Sequence, residues 1–157
     1  MGVPQRKRPV HLPAVERANR SVIQFVTVCT QARQPLLANA QIHGLLLRFW
    51  RDDSVYRVGR YVVMPDHLHL FCAPNTYPIE PLSKWVGYWK SRVASLGTYR
   101  GAKKLWQKNF WDRQLRGHES YSEKWHYVLN NPVRAGLVDA PEEWPYQGEL
   151  SPLLWHD

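Results

Sequence analysis

Blocks of strand-like and helix-like hydrophobic spacing predict an α+β chain. Ser21 to Thr30 (SVIQFVTVCT) is rich in β-branched residues and Phe and holds no Gly or Pro, which predicts a central strand. Asn39 follows as a helix cap. Ile42, Leu45, Leu46 and Phe49 then fall at i, i+3, i+4 and i+7, an apolar stripe fit to lie on a sheet until Asp52, Asp53 and Ser54 end it. From Tyr56 to Ala73 two strands are predicted, separated by Met64, Pro65 and Asp66. A second helix is predicted from Pro81 to Leu96, with Leu82, Val86, Trp89, Val93 and Leu96 on one face and Gly97 as its stop. Leu105 to Leu115 (LWQKNFWDRQL) predicts a loop feeding a short strand. Ser120 with Glu123 forms a capping box that opens a third helix, ending at Asn131 because Pro132 disfavours helical geometry in the residue before it. Elements in this order predict one sheet with helices packed on it.

The ends lack such periodicity. Residues 1–20, with Pro4, Pro9, Pro13 and the run Arg6, Lys7, Arg8, predict a basic arm; residues 21–140 form one domain and 141–157 an irregular, Pro-rich tail. A chain of 157 residues fits a single domain. No apolar run reaches the roughly 18 residues of a membrane span, and the N-terminus has no apolar signal core, so a soluble, intracellular protein is expected. Cys29 and Cys72 each sit in an apolar run and are expected as buried, reduced thiols.

Charge refines this picture through its distribution. The net charge is +8. Residues 1–21 hold five bases (Arg6, Lys7, Arg8, Arg17, Arg20) against Glu16, and residues 84–116 hold nine (Lys84, Lys90, Arg92, Arg100, Lys103, Lys104, Lys108, Arg113, Arg116) against Asp112. The remainder is acidic. Two local concentrations of cations suggest surfaces that meet phosphate, where a uniform excess would suggest only solubility. In the second segment Trp85, Tyr88, Trp89, Tyr99, Trp106, Phe110 and Trp111 interleave with the bases, a composition suited to unpaired nucleobases and hairpin ends, although no more than half of these rings are expected to reach a ligand and Trp89 belongs to the core.

Two constellations carry possible chemistry. His67 and His69 lie two apart on a predicted strand, so both imidazoles project from one face: half a metal site, or two hydrogen-bonded surface histidines. Tyr127 and Asn131 are four apart on a short helix and share a face, either as nucleophile and metal ligand or as a core aromatic and a helix cap.

The strings Val62–His69 (VVMPDHLH), Leu105-Trp106-Gln107, Phe110-Trp111-Asp112 and Tyr127–Val138 (YVLNNPVRAGLV), in this order, resemble the REP-associated tyrosine transposases, a branch of the single-tyrosine HUH transposases. The resemblance runs from about Ser21 to Tyr146. It implies a ferredoxin-like antiparallel sheet with helices packed on one face. It implies His67, His69 and Asn131 as ligands of a divalent metal, Mg²⁺ or Mn²⁺, and Tyr127 as the nucleophile that leaves a 5′-phosphotyrosine. No nucleotide cofactor is implied, because the phosphodiester count is conserved. Arg113 departs from the pattern, since many relatives have His there.

The implied substrate is single-stranded DNA folded into hairpins from palindromic repeats, gripped by Arg6, Lys7, Arg8, Arg17 and Arg20 in the arm and by Lys84, Lys90, Arg92, Lys103, Lys104, Lys108, Arg113 and Arg116. A non-catalytic hairpin-binding protein and a replication or conjugation nickase are the alternatives. The resemblance favours a bacterial, cytoplasmic, nucleoid-associated monomer over a dimer, with no membrane partner.

Overall fold

A computed structural model describes residues 22–97, 102–116 and 119–154, with the side chains of 102 and 103 excepted. Arg6, Lys7, Arg8, Arg17, Arg20, Tyr99 and the Lys103 side chain lie outside the described residues. The elements are β1 (Gln24–Cys29), α1 (Ala40–Trp50), β2 (Tyr56–Val63), β3 (His67–Pro74), α2 (Leu82–Leu96), α3 (Ala102–Leu105), β4 (Trp111–Gln114), α4 (Tyr121–Leu129), α5 (Asn131–Arg134) and β5 (Gln147–Glu149). All strand pairs are antiparallel, in the order β4-β1-β3-β2-β5.

Strand alternation divides the sheet into two faces. Val26, Val28, Leu68, Leu70 and Cys72 point to the first face, under α1 and α2. Asn39 caps α1 by accepting from the Ile42 N–H at 2.9 Å, and Ile42, Leu46 and Trp50 are its buried stripe. Trp50, Trp85, Trp89 and Trp106 form a chain of edge-on indoles with centroids 5.5 to 6.1 Å apart. That cluster turns α2 so that Trp85 and Ala94 are buried while Leu96, expected inside, is 41% exposed. Trp85, Trp89 and Trp106 are therefore core residues, closed to nucleobases; Tyr88 and Trp111 remain exposed. Both cysteines are buried and free, as expected.

The long helices thus share one face. The second face, bearing Phe71, Ala73 and Val62, is covered by α4 and by the C-terminal segment through Tyr121, Val128, Trp144 and Leu153. Ser120 caps α4, its hydroxyl accepting from the Glu123 N–H at 3.1 Å. The helix stops at Leu129, and Pro132 starts the next turn instead of closing the last one, because a proline in a first turn gives up no helical hydrogen bond. Residues 141–157, expected as an irregular tail, contribute β5 on the edge of β2, and the buried Trp144 indole donates to the Val63 carbonyl at 3.0 Å. No helix among the described residues is long and apolar enough to cross a membrane.

A bulge in β2 seats α4. The register shifts between Val58 and Tyr61, so both side chains keep to the first face, and the Arg60 N–H donates to the Tyr121 hydroxyl at 3.1 Å. A Cβ at Gly59 would stand 2.6 Å from the Tyr121 hydroxyl and 2.7 Å from Leu153. Gly59→Ala should therefore destabilise the fold by about 1–3 kcal/mol through overpacking, read as a lowered urea midpoint. An unchanged midpoint would show that α4 is not docked by this contact.

Candidate functional site

His67 and His69 leave β3 on the second face, their ring centroids 4.9 Å apart. Each ring is oriented through Nδ1. Asp66 Oδ1 takes the His67 Nδ1 hydrogen bond at 2.7 Å, and Thr27, the register partner of His69 on β1, shares a 2.9 Å hydrogen bond with His69 Nδ1. With Nδ1 occupied on both rings, both Nε2 atoms are left for a ligand, the arrangement that orients metal-binding histidines. Burial, then the charges of His67, Arg33 and Arg134, push the His69 imidazole down to about 3, which keeps it neutral and able to donate its lone pair.

Asp66 is itself held. Burial raises its carboxyl, but hydrogen bonds from His67 and from Arg33 Nε (2.9 Å) together outweigh this and hold it below the usual carboxylate range. Arg33 reaches it from a 3₁₀ turn, Gln31–Arg33, in which Ala32 and Arg33 both have φ of 53°. Left-handed backbone costs a non-glycine residue about 1–2 kcal/mol, and here the turn is tied down by Thr30, whose N–H donates to the Asp66 carbonyl at 3.0 Å and whose hydroxyl donates to the Gln34 carbonyl at 2.8 Å.

The second half of the site is on α4 and α5. Tyr127 is 70% exposed, so it is not the core aromatic that its helix position also allowed. The Arg134 guanidinium lies 4.1 Å from its ring centroid and donates through Nη2 to Asn131 Oδ1 at 2.5 Å. Tyr127 near the end of α4 and Asn131 and Arg134 in α5 are thus joined through the Arg134 guanidinium. The charge of Arg134 is the smallest of the causes that lower the His69 imidazole. Thr27, Asp66, Arg33 and Arg134 escaped the sequence reading. Of these, Arg134 had a readable signal in its spacing, whereas Thr27 and Arg33 reach the histidines only through tertiary pairing.

The expected phosphate contacts are scattered differently. Lys84, Arg92, Lys104 and Lys108 are exposed and Arg116 is half-buried. Lys84 and Arg92 ride the outer side of α2, on the sheet face opposite the histidines, while Lys108 follows the segment that pairs with the end of β1 next to His67 (Gln107 N–H to Cys29 carbonyl, 3.0 Å). Arg113 pairs with Glu119 through two hydrogen bonds of 2.7 and 3.0 Å. Glu119 also takes Lys124 at 2.9 Å, so these two cations brace the entry to α4.

Lys90 is a correction: it is buried, and its ammonium donates to the carbonyls of Gln107 at 2.8 Å and Lys108 at 3.5 Å. A cation spent on backbone carbonyls inside the fold has no surface to offer DNA. If the chain grips DNA as its basic segments lead one to expect, Lys90→Met should leave DNA affinity within about a factor of two, whereas Lys104→Ala with Lys108→Ala should weaken binding and lower the salt slope by about one per lost phosphate contact. Fluorescence anisotropy over a salt series measures both, and a steep loss in Lys90→Met would contradict this placement.

No family model matches the chain. A REP-associated tyrosine transposase of Escherichia coli (strain K12) is 27% identical over 125 residues, which span 78% of this chain and 73% of that protein. Among solved structures, a REP-associated tyrosine transposase bound to a REP hairpin has the same fold, with a TM-score of 0.68 at 23% identity over 87% of this chain and 86% of that one. The five-stranded antiparallel sheet with its helices is the fold of that solved structure, and in sequence and architecture alike this chain resembles the REP-associated tyrosine transposases.

Proposed function

We propose that this chain is a metal-dependent single-strand DNA endonuclease and strand transferase acting on hairpins folded from palindromic repeats. The observation that carries the reading is the histidine pair: two imidazoles on one face, each fixed through Nδ1 by Thr27 or Asp66, with both Nε2 atoms available. The hairpin carried by the solved relative supports the substrate class.

Donors of this kind, two imidazole nitrogens and one amide oxygen, fit a hard divalent cation that keeps open positions for phosphate and water. His67, His69 and Asn131 would hold it, and Mg²⁺ or Mn²⁺ would supply Lewis-acid neutralisation of charge on the scissile phosphodiester. Tyr127 then attacks phosphorus through its phenol oxygen. The new bond is O–P to tyrosine, the broken bond is P–O3′, the phenol proton passes to solvent, the leaving 3′-oxygen takes a proton from solvent, and the products are a 5′-phosphotyrosine and a free 3′-hydroxyl. Rejoining reverses these bonds, with a 3′-hydroxyl as attacker and the phenol restored, so no nucleotide cofactor is needed. Exposure of Tyr127 suits this role, because the phenol must meet a strand that arrives from solvent.

Incubating the protein with a labelled repeat hairpin and Mg²⁺ tests the reading. A covalent protein–DNA band, stable in denaturant, is expected from the single-stranded hairpin and not from the same sequence as a perfect duplex. Absence of the band with both substrates would overturn the proposal.

A further inference from the structure

Arg134, like Arg57 on Asn75, has a neutral amide as its close polar partner, and unlike Arg57 it also lies over a tyrosine ring, that of Tyr127. Arg33, Arg60 and Arg113 each face a carboxylate, at 2.9, 3.1 and 2.7 Å. Arg134 has no ion pair among the described residues; its recorded partners are the neutral Asn131 amide and the face of Tyr127. A guanidinium has five N–H donors in a planar fork. One bond to an amide and one ring face leave most of that fork and the whole charge uncompensated, beside the side chain proposed to attack phosphate.

We propose, resting on the function given above, that Arg134 is a phosphate-contacting catalytic residue, moving from the Asn131 oxygen and the Tyr127 ring onto the non-bridging oxygens of the scissile phosphodiester when DNA is seated. The exchange favours the phosphate. A guanidinium over an exposed ring is held weakly, and a neutral amide is a poorer acceptor than a phosphate that matches the fork bidentately. The move also frees Asn131 Oδ1 for the role proposed for it, since the oxygen that accepts from Arg134 is the donor atom that a cation would use. During attack the Tyr127 O–P bond forms and the P–O3′ bond breaks while charge collects on the non-bridging oxygens. Arg134 donates hydrogen bonds to that charge and transfers no proton, so the step balances without a further reactant. Its position over the ring keeps the cation and the nucleophile together as the strand arrives.

The test uses two hairpin oligonucleotides that differ at one linkage, the one the wild-type protein joins to Tyr127: an ordinary phosphate or a neutral methylphosphonate. Binding is read by anisotropy in excess chelator, so the readout does not depend on the metal-loaded enzyme. Wild type should lose about tenfold in affinity with the methylphosphonate. Arg134→Ala should bind the phosphate hairpin about as weakly as wild type binds the neutral one, should show no further methylphosphonate penalty, and with Mg²⁺ should form adduct about a hundredfold more slowly. Arg134→Lys should recover part of the binding, since the charge returns without the fork.

A merely structural arginine would slow the reaction yet leave the methylphosphonate penalty intact, and that outcome overturns the assignment, as does a wild type indifferent to the methyl group. A wild type that joins no oligonucleotide to Tyr127 overturns the proposed function and this assignment together, whereas a fully active Arg134→Ala overturns this assignment alone.

Discussion

Tyr127→Phe should abolish the covalent protein–DNA adduct while leaving hairpin binding close to that of the wild type. The substitution removes one oxygen from an exposed side chain, so it opens no cavity and leaves no buried group without a partner. The ring remains for the Arg134 guanidinium, since a cation–π contact needs the face and not the hydroxyl. Loss of chemistry with retained binding is therefore the expected signature, with adduct formation falling below detection, at least about 10³-fold, as expected when a nucleophile is removed. Denaturing gels and anisotropy on the same preparation separate the two properties. A Phe variant that still forms the adduct would move the nucleophile elsewhere.

Replacing both His67 and His69 by Ala should be comparably severe, for a different reason. Two imidazoles fixed through Nδ1 are a paired set of nitrogen donors on the face shared with α4, and several kcal/mol of charge stabilisation would go with them, or about 10³-fold or more in rate. Wild-type adduct formation should disappear in excess chelator and return with Mg²⁺ or Mn²⁺, whereas the double variant should respond to neither. The fold should survive, because both rings are only partly covered and stand outside the two hydrophobic clusters. A chelator-insensitive wild type, or a double variant that still cleaves, would count against a metal at this site. Asp66→Ala provides a graded version, expected to cost about 10–100-fold in metal affinity because it frees His67 to rotate.

Much of this architecture is legible in the chain because local rules and tertiary packing agree there. The Asn39 cap, the Ile42 to Trp50 stripe and the Ser120 box are set by residues within a few positions of one another, and each element forms where its pattern ends. The histidine pair is legible for the same reason: a period of two on a strand fixes its shared face whatever lies around it. Elements governed by distant partners are not. Three-residue β5 carries no periodicity of its own and exists because the edge of β2 offers it hydrogen bonds. Lys90 reads as one more cation in a basic run until the chain of indoles turns α2 and buries its stem, leaving the ammonium to two backbone carbonyls. The face on which α4 docks depends on a bulge at Gly59, which no spacing rule reveals. In the candidate site, likewise, the residues proposed to react are readable from motifs, whereas Thr27 and Arg33, which hydrogen-bond to the histidines, come from β1 and the turn after it, some 34 to 42 positions away in sequence.

The proposed mechanism leaves Tyr127 on the 5′ side of the broken strand, and one experiment addresses this directly. The wild-type protein is incubated with Mg²⁺ and a repeat hairpin labelled at either its 3′ or its 5′ end, and the denatured protein is digested with trypsin. Tyr127 is the only tyrosine between Lys124 and Arg134, so the peptide Trp125–Arg134 reports on it alone. The predicted result is label on the protein from the 3′-labelled strand only, with that peptide carrying a 5′-linked nucleotide. Label from the 5′ end, or a nucleotide on any other peptide, would contradict the mechanism.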